Sequence, residues 1–201
     1  MFCGLLRKTG PNSTERKLSL TRKPGIIMVL LESSRAFLYR NARPLDLARF
    51  RYHFEGGKIE DVLTALSFYQ NPDGGFGHAL EADAWNPNSS PIATWCATEI
   101  LREVGVLDAS HPIVRGILRY LASGKDFDGH FWYTAVRSNN DYPHAPWWHT
   151  DEDSTCGGDY NPTACLAGFI LRYSEKGSSL YRLGKRAEIL EKAVLSRSDE
   201  L

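Results

Sequence analysis

Two kinds of helix take turns along this sequence, and a fold must give each kind its own layer to accept both. Ile59, Val62, Leu63, Leu66 and Tyr69 recur at helical spacing while Glu60, Asp61, Thr64 and Ser67 hold the opposite side, the pattern of a helix with one wet face. The next segment, Pro91 to Val104, differs. Ile92, Ala93, Trp95, Cys96, Ala97, Ile100 and Leu101 cover most of its circumference, which predicts burial nearly all round. Pro91 suits a first helical turn, and Ser89 or Ser90 suits its cap. Pro112 to Ser123 is half polar again, with Ile113, Ile117, Leu118 and Leu121 opposed by Arg115 and Arg119. Pro162 to Tyr173 is apolar on almost every side, and Leu180 to Leu195 alternates once more. Upstream, Ile26 to Arg40 and Leu45 to Phe54 read as helices, stopped by Asn41 with Pro44 and by Gly56-Gly57. Strand signals are nearly absent. The arrangement that covers every apolar helix is an all-α one, an α/α arrangement of two concentric layers with amphipathic helices outside and apolar helices inside. The alternative is an open superhelix of hairpins, whose connections would be shorter and less aromatic.

The connections from the first kind of helix to the second carry the chemistry. After Gln70, the turn Asp73-Gly74-Gly75 ends a helix, because paired glycines reach positive φ cheaply and Asp bonds its own following backbone. Phe76, Gly77 and Trp85 then lie in irregular backbone beside Glu81 and Asp83, and loops are where function concentrates. A weaker copy follows at Asp128-Gly129-His130-Phe131-Trp132, so the chain reads as a repeat. The later part of that second loop, Tyr142 to Asp153, holds His144, Trp147, Trp148, His149 and Asp151. Adjacent Trp residues in a loop either plug helix ends or line a pocket. Trp85, Trp95, Trp132, Trp147, Trp148, His144, His149 and Tyr160 are therefore the expected ligand-lining side chains.

Composition removes several classes. Lys plus Arg equals Asp plus Glu at 24 each, so no overall basic field argues for nucleic acid. No apolar run reaches the ~18 residues of a membrane span. Cys3, Cys96, Cys156 and Cys165 form no CxxC pair, which fits reduced thiols in the cytoplasm. Residues 1–24 concentrate Arg7, Lys8, Arg16, Lys17, Arg22 and Lys23 against Glu15 and read as a disordered basic leader. Residues 25–201 read as a single domain of about three helical hairpins.

Gln70-Asn71-Pro72-Asp73-Gly74-Gly75-Phe76-Gly77 resembles the Gln-x(n)-Gly-x-aromatic repeat of terpenoid cyclases and the Asp-Gly-Gly-Phe loop of protein prenyltransferase β subunits, both α/α toroids. The resemblance implies an isoprenoid in a central cavity, and a largely structural role for Gln70, Asp73 to Gly77, Asp128 and Gly129 in closing one hairpin onto the next. Asp151-Glu152-Asp153-Ser154-Thr155 is similar to the Asp-x-Asp-Asp-Thr segment of squalene-hopene-type cyclases, with Asp153 at the position of the alkene-protonating acid and Ser154 in place of an Asp. A crowd of carboxylates can raise one member's pKa, as such an acid requires. Asp159 to Cys165 resembles the zinc-binding segment of prenyltransferases, yet Pro162 stands where the ligand His would be, so neither zinc nor another cofactor is expected. His144, His149, Asp151 and Cys156 offer ligand types without a recognisable metal spacing. α/α toroids also carry glycoside hydrolases and polysaccharide lyases; on that reading Glu81 or Asp83 faces Asp151 or Asp153 across a glycan. A non-catalytic repeat module that only binds is the third reading. Complete rings of the resembled families carry more hairpins than this chain, which implies a second copy or a missing half as partner.

Overall fold

The computed structural model describes residues 24–106, 108–151 and 161–187. Among them, regular structure is helical throughout, with isolated bridges and no extended strand. The chain divides into two units, Met1–Ala42 and Arg43–Leu201. The described part of the first is one helix, α1 (Pro24–Asn41), closed by Asn41 Nδ2 donating to Phe37 O at 2.8 Å.

The second unit holds α2 (Pro44–Phe54), α3 (Ile59–Ser67), α4 (Pro91–Glu103), α5 (Pro112–Ala122), α6 (Thr163–Tyr173) and α7, described over 179–187. Local chemistry sets the starts. Pro44, Pro91 and Pro112 each occupy a first turn, where the missing N–H is not needed. Ser90 Oγ accepts from Ala93 N at 3.2 Å and His111 Nδ1 from Ile113 N at 3.3 Å, capping α4 and α5. Glu60 and Asp61 sit in the first turn of α3, where the helix dipole favours negative charge.

Burial follows the two expected helix kinds with one difference. α3 and α5 bury a single face, with Val62 and Leu66 inside on one and Arg115 and Arg119 outside on the other. α4 buries Ile92, Ala93, Thr94, Ala97, Thr98, Ile100 and Leu101, and leaves Trp95, Cys96 and Glu99 half-buried. α6 is not covered all round: Cys165, Gly168 and Arg172, one above another on successive turns, are exposed. Apolar content alone misjudged this stripe, because Cys and Gly score as interior residues yet add little area to bury.

Tertiary bonds fix the helix directions. Arg49 Nε donates to Glu103 Oε1 at 3.1 Å and Tyr52 OH to Val104 O at 3.4 Å, which brings the last turns of α2 and α4 together. Tyr173 OH, at the end of α6, donates to Val106 O at 2.9 Å just beyond the end of α4. The C-terminal ends of α2, α4 and α6 therefore lie together. The core forms among the helices of this unit: Leu45, Val62, Leu66, Phe76, Ala97, Leu101, Ile117, Leu121, Leu166 and Ile170 are buried in one cluster. Each buried Leu, Ile, Val or Phe there contributes about 1.5–3 kcal/mol relative to exposure.

No described helix is long and apolar enough to cross a membrane.

Candidate functional site

Both long loops begin with the same device. In the first, Gly77 N donates to Tyr69 O at 3.1 Å and Asn71 N to Gly75 O at 2.8 Å. Asp73 Oδ1 accepts Gly75 N at 3.0 Å and Ser89 Oγ at 2.6 Å. Burial pushes the Asp73 carboxyl up, but the Ser89 and Gly75 hydrogen bonds and nearby Lys125 outweigh it and hold the group below its ordinary range. Gln70 Nε2 spans to Gly74 O at 2.9 Å and Ile113 O at 3.1 Å, tying the loop to α5. Gly74, at φ 96, lies so close to Gly116 that a Cβ would collide with the Gly116 carbonyl. Phe76 is wholly buried, and its N–H donates to Thr94 Oγ1 on α4 at 3.1 Å.

The second loop repeats this one residue shorter. Tyr133 N donates to Asp126 O at 2.8 Å and Asp128 N to Phe131 O at 3.1 Å, while Asp128 Oδ1 takes His130 N and Phe131 N, each at 2.7 Å. The bridges Gln70–Phe76 and Phe127–Trp132 set the register. Phe127 thus stands at the place of Gln70, and Trp132, not Phe131, at the place of Phe76. Trp132 is wholly buried with its N–H on Thr163 Oγ1 of α6 at 2.9 Å, so it belongs to the core rather than to a ligand surface. Matching Asp-Gly to Asp-Gly in sequence hides the shift; the signal for it was a Thr in the first turns of both following helices.

Beyond these turns the loops meet each other. His78 and Ala79 both hold positive φ, 57 and 59, a strained pair fastened by Arg43 Nη1 on Ala79 O at 2.6 Å. Arg43 is in turn held by Asp46, its Nε 2.7 Å from Oδ2, and the hydrogen bond to that carboxylate raises the guanidinium's pKa further. Trp85 N donates to Pro143 O and Ala145 N to Asp83 O, each at 2.9 Å, and Trp148 Nε1 donates to Asp83 Oδ1 at 2.6 Å. Asn86 Nδ2, bonded to Ser138 Oγ at 2.7 Å and Asn139 Oδ1 at 2.8 Å, reinforces the junction from below. These asparagines carry no pattern that sequence reading could have singled out.

Glu81 Oε2 accepts from Cys96 Sγ at 3.2 Å; burial first, then the Glu81 carboxylate, pushes that thiol well above its ordinary range and keeps it protonated. Trp85 and Trp147 stand on the rim at 62% and 65% exposure. The structure thus gathers Glu81, Asp83, Trp85, His144, Trp147 and Trp148 in one junction. Asp151 Oδ1 lies 3.8 Å from His149 Nε2 beside it. Trp95 lies on α4 beside Cys96. Asp153 and Tyr160 fall outside the described residues.

Two clefts accompany the junction. One of about 230 Å³ runs between the open flanks of α4 and α6, past Glu99, Arg102, Cys165, Gly168 and Arg172. A larger, shallower one of about 690 Å³ lies between α2 and α3 and touches the loops at His78. Among the described residues, no three His, Cys, Asp or Glu side chains converge as a metal site.

Set against known proteins, the chain matches no protein-family model, no curated protein and no solved structure.

Proposed function

We propose that residues 43–201 are a partial α/α toroid that holds an isoprenoid, or a similarly apolar small molecule, on the face formed by α4, α6 and the joined loops. The observation that carries this reading is the repeated seat, in which a buried ring after an Asp-Gly turn gives its N–H to a threonine on the next helix, Phe76 to Thr94 and Trp132 to Thr163. Repetition of that unit, with the C-terminal ends of α2, α4 and α6 tied together, supports an inner row of helices, whose uncovered flanks carry Trp95 and Glu99 on α4 and Cys165, Gly168 and Arg172 on α6. The ligand class rests on the likeness of Gln70 to Gly77 to the cyclase and prenyltransferase loops. In this reading Trp95, Trp147 and Trp148 meet hydrocarbon, and Asp151 and Asp153 supply the acid if the protein is a cyclase. A second copy or a separate half would complete the ring, and light scattering reads that directly: a dimer or larger species is expected.

The ligand test is a titration with a dansyl-labelled farnesyl probe, followed by energy transfer from the indoles. Saturable transfer that weakens at least tenfold in Trp95→Ala is expected. No saturable signal from a chain that melts cooperatively would sink the proposal.

The exposed indoles of Trp85 and Trp147 beside Asp83 favour one second reading, a glycan stacked on the rim with carboxylates alongside. Paired acids on a sugar bond stand about 5–10 Å apart. Saturable binding of oligosaccharides instead of the farnesyl probe, lost in Asp83→Asn, would select it. If neither ligand binds and Asp83→Asn changes nothing measurable, a purely structural repeat is left.

A further inference from the structure

We infer that His144 and His149 form a pH-sensitive latch that holds the Trp147–Trp148 turn against Asp83 and releases it when both imidazoles are charged. His144 Nδ1 lies 2.6 Å from Tyr142 O, and a nitrogen facing a carbonyl must carry the proton. The neutral ring therefore turns a lone pair outward at Nε2. His149 Nδ1 sits 3.3 Å from that lone pair. The two rings are only 10° from parallel with centroids 5.5 Å apart, about one ring diameter more than the nitrogen separation, so the nitrogens point at each other between the rings.

This geometry decides among three uses. A metal bonds imidazole at about 2.0–2.1 Å, so nitrogens aimed head-on at this spacing leave no room for an ion between them. A general base needs a lone pair turned to substrate; the lone pair of His144 is occupied, and that of His149, at Nε2, has Asp151 Oδ1 3.8 Å away. What fits is an N–H···N hydrogen bond from His149 to His144. Among the described residues, Asp151 Oδ1 lies 3.8 Å from His149 Nε2, and Asp83 holds the Trp148 indole of the turn between the two histidines. The pair accordingly accommodates one added proton, on His149. A second must take the lone pair of His144, which deletes the hydrogen bond and sets two N–H groups and two positive charges against each other.

The consequence is local. The His144–His149 bond closes a ring of chain around the short turn Pro146–Trp148. That turn delivers the Trp148 indole to Asp83, and the flanking bonds of Ala145 and Trp85 complete the loop junction. Opening the pair removes the side-chain tie across the turn and leaves Asn139 Nδ2 on Trp148 O at 3.1 Å to hold its backbone, so it is the indole bond to Asp83 that loosens.

The test is nitrogen-15 NMR on the full chain at pH 8 and pH 5. At pH 8, His144 should be unprotonated at Nε2 and the Trp148 indole proton protected from solvent exchange. At pH 5, indole protection should fall at least tenfold, while the amides of Phe76 and Trp132 keep theirs. In His149→Gln an uncharged amide can donate to His144 or accept from it, so the pH dependence should vanish. Unchanged Trp148 protection in the native chain once both imidazoles are charged, or equal release in His149→Gln, overturns the latch. The native titration decides the matter even if the variant folds poorly.

Discussion

The surroundings of Asp126 disfavour its charge. It sits half-buried at φ 57, accepts the Tyr120 hydroxyl at 3.0 Å, and burial, with Asp73 adding to it, raises its pKa despite that hydrogen bond and Lys125. A carboxyl whose folded pKa is raised binds its proton more tightly in the native state than in the unfolded chain. Its stabilising contribution is full below the unfolded value, about 3.9, and is lost as pH rises through the raised folded value. At pH 7 the charge is therefore a cost. Asn keeps the acceptor for Tyr120 and tolerates the left-handed backbone, so Asp126→Asn should stabilise by about 0.5–1.5 kcal/mol at pH 7, with the gain shrinking toward pH 4. Asp126→Ala should destabilise throughout. Asp73 has the opposite sign: its lowered pKa gives stability above the unfolded value that disappears as pH falls through the folded one. Asp73→Asn should lower the melting temperature at pH 7 and matter less in acid. Thermal melts of both variants from pH 3 to 7 check the pair, and parallel curves would contradict it.

At the scale of elements, the joints matter more than the helices they connect. Thr94→Val and Thr163→Val keep shape but strand the buried N–H of Phe76 and Trp132, costing about 1–3 kcal/mol each. Faster hydrogen exchange at those two amides would register the loss, and a lone effect at Phe76 would mean the second seat is not equivalent. Gly74 and Gly168 should respond oppositely. Gly74→Ala drives a Cβ into the Gly116 carbonyl at positive φ and should cost about 2 kcal/mol or more. Gly168 is helical with open space at its Cβ, so Gly168→Ala should stabilise by about 0.5–1 kcal/mol in denaturant titrations.

These joints mark how far sequence reading reaches. Periodicity located α1 to α6 because apolar spacing and proline starts are local signals. It ran α3 on to Tyr69, whereas the helix stops at Ser67 and Phe68 turns outward at 78% exposure. It also made α6 apolar on almost every side, and assigned Trp132 to a ligand surface when a one-residue difference between the loops carries it into the core. The meeting of Asp83 with Trp148 was legible only as two unusual loops leaving one end of the helices. Their bonding through Asn86, Ser138 and Asn139 joins residues too distant in sequence for any spacing rule.

At the scale of the whole molecule, the second unit carries a core of its own. Among the described residues, the buried cluster runs from Leu45 to Ala187, and the ties among α2, α4 and α6 are internal to the unit. A fragment of residues 43–201 should therefore fold cooperatively, with a melting temperature within about 3 °C of the full chain, a shift of roughly 1 kcal/mol for a protein of this size. The cut must spare Arg43. Its carbonyl accepts Leu47 N at 3.0 Å to begin α2, and its guanidinium holds the carbonyls of Ala79 and Leu80 at 2.6 and 3.3 Å beside the left-handed His78–Ala79 pair. Without it the strained pair loses its fastening, and the loop leading to Glu81 and Asp83 should loosen first. A fragment of residues 44–201 should consequently melt lower than 43–201 and lose hydrogen-exchange protection at His78 and Leu80 before it loses any at Leu66 or Ile117. Equal melting of the two fragments would show that the loop keeps its shape without Arg43, and a 43–201 fragment without a cooperative transition would show that its core is not self-sufficient.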